Sequence, residues 1–272
     1  MKVAFQGEHG AYSEQAIREH FPADCVTVPC ISFDEVFSSV AGGTCDCGFI
    51  PVENSVAGSI HRNYDLLLEY NLFVTGEHIT RVSHCLIGLP QAALDQIRKV
   101  VSHPQALAQC EKTLRAMKGV TTEPVYDTAG SVKIIQEIGD PAVAAIASQW
   151  AAELYGMKVL AENVEDNPAN YTRFQIIARG PEAVIENAKT SIVFALINEP
   201  AALFRAMSVF ALRGIDLTKI ESRPLVGKPW EYLFYIDFSG SQVEEKVQKA
   251  LANLEEYATF LRILGSYPKF MG

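Results

Sequence analysis

The chain has 272 residues, 49% hydrophobic and 20% charged, enough to bury one large core or two to three modest ones and without the bias of a disordered chain. A net charge of −9 and a pI near 5.2 argue against a nucleic-acid partner, so an anionic ligand needs locally placed donors or cations. No apolar run approaches the roughly 18 residues of a membrane span, "MKVAFQGEHG" carries no apolar leader core, and Cys25, Cys30, Cys45, Cys47, Cys85 and Cys110 are expected to be reduced, buried thiols of a cytoplasmic protein.

In chain order, "KVAFQG" is a short apolar run ending at Gly7, and "AYSEQAIREHF" follows with helical spacing: a strand, a glycine loop and a helix start. "DCGFIPVEN" is a second strand ending in polar residues, followed by the helical "SIHRNYDLLLEY". "KVVS" then meets His103 and Pro104, and proline suits the first turn of a helix. "VYDTAGSVKIIQEIG" and "AVAAIASQWAAELYG" repeat the pattern, which predicts an α/β domain with a largely parallel sheet. The extended "LFVTGEHITRVSHCLIGL", 72–89, breaks the repeat and reads as a crossover between lobes, with "KVLAENVEDNPANYTRFQIIA" as the return. The first domain is therefore expected at 1–182, lobe one being about 1–77 and 159–182 and lobe two about 78–158, around a hinged cleft. Beyond it, 190–272 reads as strand, helix, two strands, helix, strand; this βαββαβ order predicts a ferredoxin-like second domain.

Loops at the carboxyl ends of strands in an α/β domain converge, and here they carry "GEHGAYS", "VENSVAG", "SHPQALAQ", "DTAGS", "ASQ" and "NYTRF". Ser13, Ser55 and Thr128 each suit a helix cap, yet together the loops favour a site for a small polar anion, with Ser55 and Thr128 among its candidate contacts. Arg173 either packs its stem at a strand start or grips a carboxylate through two parallel hydrogen bonds. His84 and His103 read either as acid–base groups or, as is commoner for a lone histidine beside an apolar strand, as core residues, and Glu53 either as a general base or, more commonly, as a carboxylate pinning a loop. The chain holds no GxxxxGK[ST], GxGxxG or GxSxG, and "CDC" at 45–47 lacks a second ligand pair, so neither metal nor cofactor is expected.

"VENSVAGS" at 52–59, "SHPQALAQC" at 102–110, "DTAGSV" at 127–132, "NYTRF" at 170–174 and "ESRP" at 221–224 together resemble the prephenate dehydratase family with its regulatory ACT domain, in order along essentially the whole chain. The resemblance implies a two-lobed catalytic domain like the periplasmic binding proteins, followed by the ACT domain. It also implies conversion of prephenate to phenylpyruvate without a cofactor, aromatisation supplying the driving force. On matching positions it makes Thr172 the hydroxyl that assists departure of the ring hydroxyl and Arg173 the carboxylate holder, with Phe174 packing beside them. Asn54, Ser102 and Gln109 match substrate-contacting positions. L-phenylalanine is the implied allosteric inhibitor of a homodimer or homotetramer, its pocket formed by "NEPAAL" (Asn198, Ala201, Ala202, Leu203) and by Glu221, Ser222 and Arg223 of "ESRP". Ala201 stands where the family usually has glycine. Arogenate dehydratase, or a non-catalytic amino-acid sensor, remains the alternative.

Overall fold

The computed structural model describes residues 1–181, 184, 186–225 and 230–271. The expected domain edges at Glu182 and Gly272 lie outside the described residues. In chain order the first elements are β1 (Lys2–Gln6), α1 (Tyr12–His20), β2 (Val26–Cys30), α2 (Phe33–Ala41), β3 (Cys47–Asn54), β4 (Gly58–Ser59), α3 (His61–Glu69) and β5 (Phe73–Arg81). Next come β6 (Cys85–Gly88), β7 (Lys99–Ser102), α4 (Pro104–Gln109), α5 (Glu111–Ala116), β8 (Thr121–Pro124), α6 (Thr128–Ile138), β9 (Val143–Ala147), α7 (Gln149–Leu154) and β10 (Lys158–Ala161). The last are β11 (Tyr171–Ala178), β12 (Ala188–Leu196), α8 (Ala202–Ala211), β13 (Leu217–Pro224), β14 (Tyr232–Ser239), α9 (Glu245–Glu255) and β15 (Ala258–Pro268).

The chain forms two compact units. The first comprises Met1–Leu66 and His78–Phe174, the second Leu67–Glu77 and Gln175–Gly272, so β5 and β11 each contribute residues to both.

One sheet runs β2-β1-β3-β11-β5 with β4 paired to β3, and a second runs β10-β6-β9-β7-β8. β1 is parallel to both β2 and β3, and β7 is parallel to β8 and β9. Strands covered on both faces are apolar throughout, as in β9, whose five residues are all buried. β10 pairs with β6, so the chain returns toward β11 only after Ala161, later than the sequence suggested. Helix starts are fixed by side chains: Asp127 accepts from the Gly130 N–H at 2.9 Å, and Gly139 closes α6 with φ 67°. Pro104 opens α4 with the preceding His103 Nδ1 accepting from Gln105 N–H.

In the second unit the four-stranded antiparallel sheet has the order β13-β14-β12-β15, and α8 and α9 cover an apolar core that includes Phe194, Phe210 and Phe238. This is the ferredoxin-like βαββαβ arrangement read from the sequence. Leu67–Glu77 packs here: Arg262 donates to the carbonyls of Leu67 and Leu72, and the Lys189 ammonium meets both Glu77 oxygens at 2.6 and 2.8 Å. Gly265 is required where β15 approaches this segment, because a Cβ there would lie 2.0 Å from the Val74 carbonyl oxygen.

Candidate active site

In the first unit a cavity of about 180 Å³ is lined by residues of both sheets' loops. Asn54 comes from the end of β3, Tyr12 and Ser13 from the first turn of α1, and Thr128 from the first turn of α6. His84 follows β5, while His103, Gln105 and Gln109 come from the entry and body of α4. Thr172 and Phe174 stand on β11. The first turns of α1 and α6 give the cavity two helix N-termini, whose amides and dipoles favour negative charge.

Alternation along β11 decides which part of "TRF" faces this space. Thr172 and Phe174 are buried and line the cavity, while Arg173 between them is half-buried and by strand alternation belongs to the other face. Two adjacent strand residues do not share a face, so Arg173 is not among the residues lining this cavity with Thr172. Phe174 stacks on Phe49 with ring centroids 4.9 Å apart, which anchors the strand beneath the cavity.

The Thr172 hydroxyl is held by Asn54, whose Nδ2 donates to Thr172 Oγ1 at 3.0 Å and to Asn170 Oδ1 at 2.8 Å. Asn170 Nδ2 donates to Gln109 Oε1 at 3.1 Å, and the same oxygen lies 2.8 Å from His84 Nε2. His84 Nδ1 in turn lies 2.7 Å from the Tyr12 hydroxyl. Burial holds the His84 imidazole below the ordinary histidine range, against the opposing pull of Gln109 and Glu165. Burial, with the neighbouring Cys85, Cys110 and Glu165, pushes the Tyr12 phenol well above its usual value, so it stays protonated. Glu165 accepts from the His84 N–H at 2.9 Å and from Arg81 at 3.2 Å, fixing the loop that carries the imidazole.

Five of the residues expected from the sequence, Asn54, Gln109, Thr128, Thr172 and Phe174, therefore line one cavity. Two serines do not. Ser102 is fully buried and donates to the Ile146 carbonyl at 2.6 Å, tying β7 to β9. Ser55 donates to Ala169 O and accepts from the Tyr171 N–H, joining the loop after β3 to the start of β11. His84 and His103, read from the sequence as acid–base groups or core residues, both line the cavity; Tyr12 and Asn170 are further members of the assembly that sequence reasoning missed. The signal for Asn170 lay in "NYTRF", because its first residue shares a strand face with Thr172. Among the described residues no cluster of three or more His, Cys, Asp or Glu could hold a metal.

The second unit has its own cavity, about 230 Å³, lined by Asn198, Ala201, Ala202, Leu203, Trp230 and Tyr232 among others. Ala201, immediately before α8, holds φ 64°, a left-handed conformation that glycine adopts at far less cost. Glu221, Ser222 and Arg223 lie on β13 opposite Tyr235, Phe234 and Leu233, and are not part of this lining.

The prephenate dehydratase family model matches residues 3–182, the stretch that holds the first cavity. Arogenate dehydratase/prephenate dehydratase 2, chloroplastic, of Arabidopsis thaliana is 48% identical over 281 residues, covering 98% of this chain and 73% of the relative. Among solved structures, the prephenate dehydratase of Arthrobacter aurescens in complex with L-Phe is 30% identical with a TM-score of 0.91, over 99% of this chain and 90% of that one. GqqA, a quorum-quenching acylase, is 35% identical with a TM-score of 0.92, over 100% of this chain and 99% of that one. Matched by the model across the cavity-bearing unit and by such relatives across nearly its whole length, the chain belongs to the prephenate dehydratase family.

Proposed function

We propose that this chain converts prephenate to phenylpyruvate, with Thr172 at the departing ring hydroxyl and arogenate as a second substrate. The observation that carries the reading is the Thr172 hydroxyl, presented to a cavity while its oxygen accepts from Asn54. In the reaction the bond to the ring carboxylate breaks, its electron pair enters the ring, the double bonds shift and the C–O bond at the far carbon breaks. Carbon dioxide departs, and the leaving oxygen takes a proton to become water. A threonine hydroxyl is too weak an acid to be ionised beforehand, so it acts by strengthening its hydrogen bond as that oxygen gains charge. The substrate carboxylates are assigned to the N-termini of α1 and α6, with Gln109 and His103 as further contacts. Arg173 is assigned to the opposite face of β11 and not to the substrate.

The acylase likeness is weighed against the same atoms. An acyl-transferring threonine needs a neighbouring base to take its proton, whereas the group beside Thr172 Oγ1 is an amide N–H donor. Dehydration is favoured for that reason. We assign 190–272 to an ACT regulatory role, with L-phenylalanine in the cavity that includes Asn198 and Ala202 and with Glu221, Ser222 and Arg223 supplied by a second copy in a homodimer or homotetramer. The L-Phe complex of the Arthrobacter aurescens protein supports it. A cytoplasmic setting accords with six free, buried cysteines. The test is turnover of prephenate and arogenate by the protein and by Thr172→Val, which keeps the side-chain shape and removes the hydroxyl. Turnover is expected to fall at least a hundredfold with KM little changed, and near-normal turnover by Thr172→Val would remove the role from Thr172.

A further inference from the structure

The hydrogen bonds behind Thr172 have a direction, and the backbone sets it. The N–H groups of Val56 and Ala57 both donate to Asn54 Oδ1, at 3.0 and 2.8 Å. Since a backbone N–H can only donate, the Asn54 amide has one permitted orientation, with Nδ2 toward Asn170 Oδ1, Thr172 Oγ1 and, at a longer 3.2 Å, the Tyr171 carbonyl. Asn170, 1% exposed, must then turn its own Nδ2 to Gln109 Oε1. An oxygen at that place on Gln109 requires a proton on His84 Nε2, 2.8 Å away, which in a neutral imidazole leaves Nδ1 bare, and the Tyr12 hydroxyl then shares its one proton between Nδ1 at 2.7 Å and the Ser83 carbonyl at 2.9 Å.

We infer that Asn170 and His84 are positioning residues for the reaction: this one-way chain, running from two backbone amides to His84, leaves Thr172 and Gln109 facing the cavity as donors. Thr172 Oγ1 is committed as an acceptor, so its proton is available for the substrate. Gln109 has committed Oε1 twice, so its Nε2–H₂ is what it offers. Donors at these two places suit a substrate with acceptor oxygens there, such as a carboxylate-bearing alcohol. The pair discriminates against groups that need an acceptor at those places, because a buried donor facing a donor loses its hydrogen bond at both ends. The functional consequence rests on the dehydratase reading, but the direction of the chain does not.

The experiment therefore has two arms. ¹⁵N NMR of the ligand-free protein with labelled histidine reads the His84 tautomer directly, and protonated Nε2 with bare Nδ1 is expected. Asn170→Asp keeps the shape and the acceptor for Asn54 but abolishes the donor to Gln109. Gln109 then turns its amide, presents N–H to His84, and forces the proton to Nδ1. The tautomer of His84 is thus expected to invert in Asn170→Asp, with KM for prephenate rising more steeply than kcat falls. A Nδ1–H tautomer in the parent protein, or an unchanged tautomer in folded Asn170→Asp, overturns the inference. Because the parent measurement needs no variant, a misfolded Asn170→Asp leaves the test intact. The expected tautomers without prephenate turnover would refute the proposed function alone.

Discussion

At the scale of single residues, two atoms carry most of the account: Thr172 Oγ1, held by Asn54, and the Cβ of Ala201. The methyl at Ala201 costs about 1–2 kcal/mol in the left-handed conformation that the start of α8 imposes. Glycine removes that strain and gives back about 0.5–1 kcal/mol as unfolded-state entropy. Ala201→Gly is therefore expected to raise the unfolding free energy by roughly 0.5–1 kcal/mol and the denaturation midpoint with it, and an unchanged or lower midpoint in denaturant titration would show that the conformation is unstrained. Trp230, lining the same cavity, also holds a left-handed φ of 67°. Sparsely populated conformations gather at ligand sites.

Among the elements, α1 is the one whose stability should depend most visibly on pH. Glu14, 1% exposed, would have its carboxyl raised by burial, but the Gly10 N–H, the Thr27 hydroxyl, His9 and Arg18 outweigh that and lower it to about 2. The folded value lies below the ordinary 4.5, so the carboxylate stabilises the fold at neutral pH, and the contribution is lost as pH falls from 4.5 toward 2. Its size is about 3 kcal/mol. Glu14→Gln should be destabilised at neutral pH, with the gap to the parent closing below about pH 4.5 in paired denaturation curves; a gap independent of pH would place the effect elsewhere. The elements also show what the sequence could reveal. Apolar runs followed by helical spacing marked β1, β3, β7 and β9, whereas β2 with its helix α2 was passed over. Pro29 weakens the strand signal of "VTVPC", and it is tolerated because β2 lies at the sheet edge. The polar loops pointed to one cavity, and five expected residues reached it. Ser102 and Ser55 bind backbone, because hydroxyl identity says nothing about the partner met in three dimensions. Arg173 was expected beside Thr172 because a motif read as adjacent letters hides the alternation of a strand.

For the whole molecule, the division of the chain bears on how regulation can be studied. Leu67–Glu77 belongs to the second unit although it lies within the stretch matched by the dehydratase model. A chain ending near Gly180 would strip that segment of Lys189 and Arg262, and removing one partner of a buried ion pair costs about 3–5 kcal/mol. Regulation is better tested on the intact chain, where added L-phenylalanine is expected to lower prephenate turnover through differential affinity for two states. Turnover unaffected at saturating L-phenylalanine would deny the second unit that role. The central claim is that the Thr172 hydroxyl, fixed by Asn54, performs dehydration in the cavity of the first unit. Single-turnover conversion of prephenate to phenylpyruvate by the parent protein and by Thr172→Val tests it most directly. The account predicts rapid conversion by the parent and a rate at least a hundredfold lower for the variant at similar substrate affinity. Equal rates for the two proteins would contradict it.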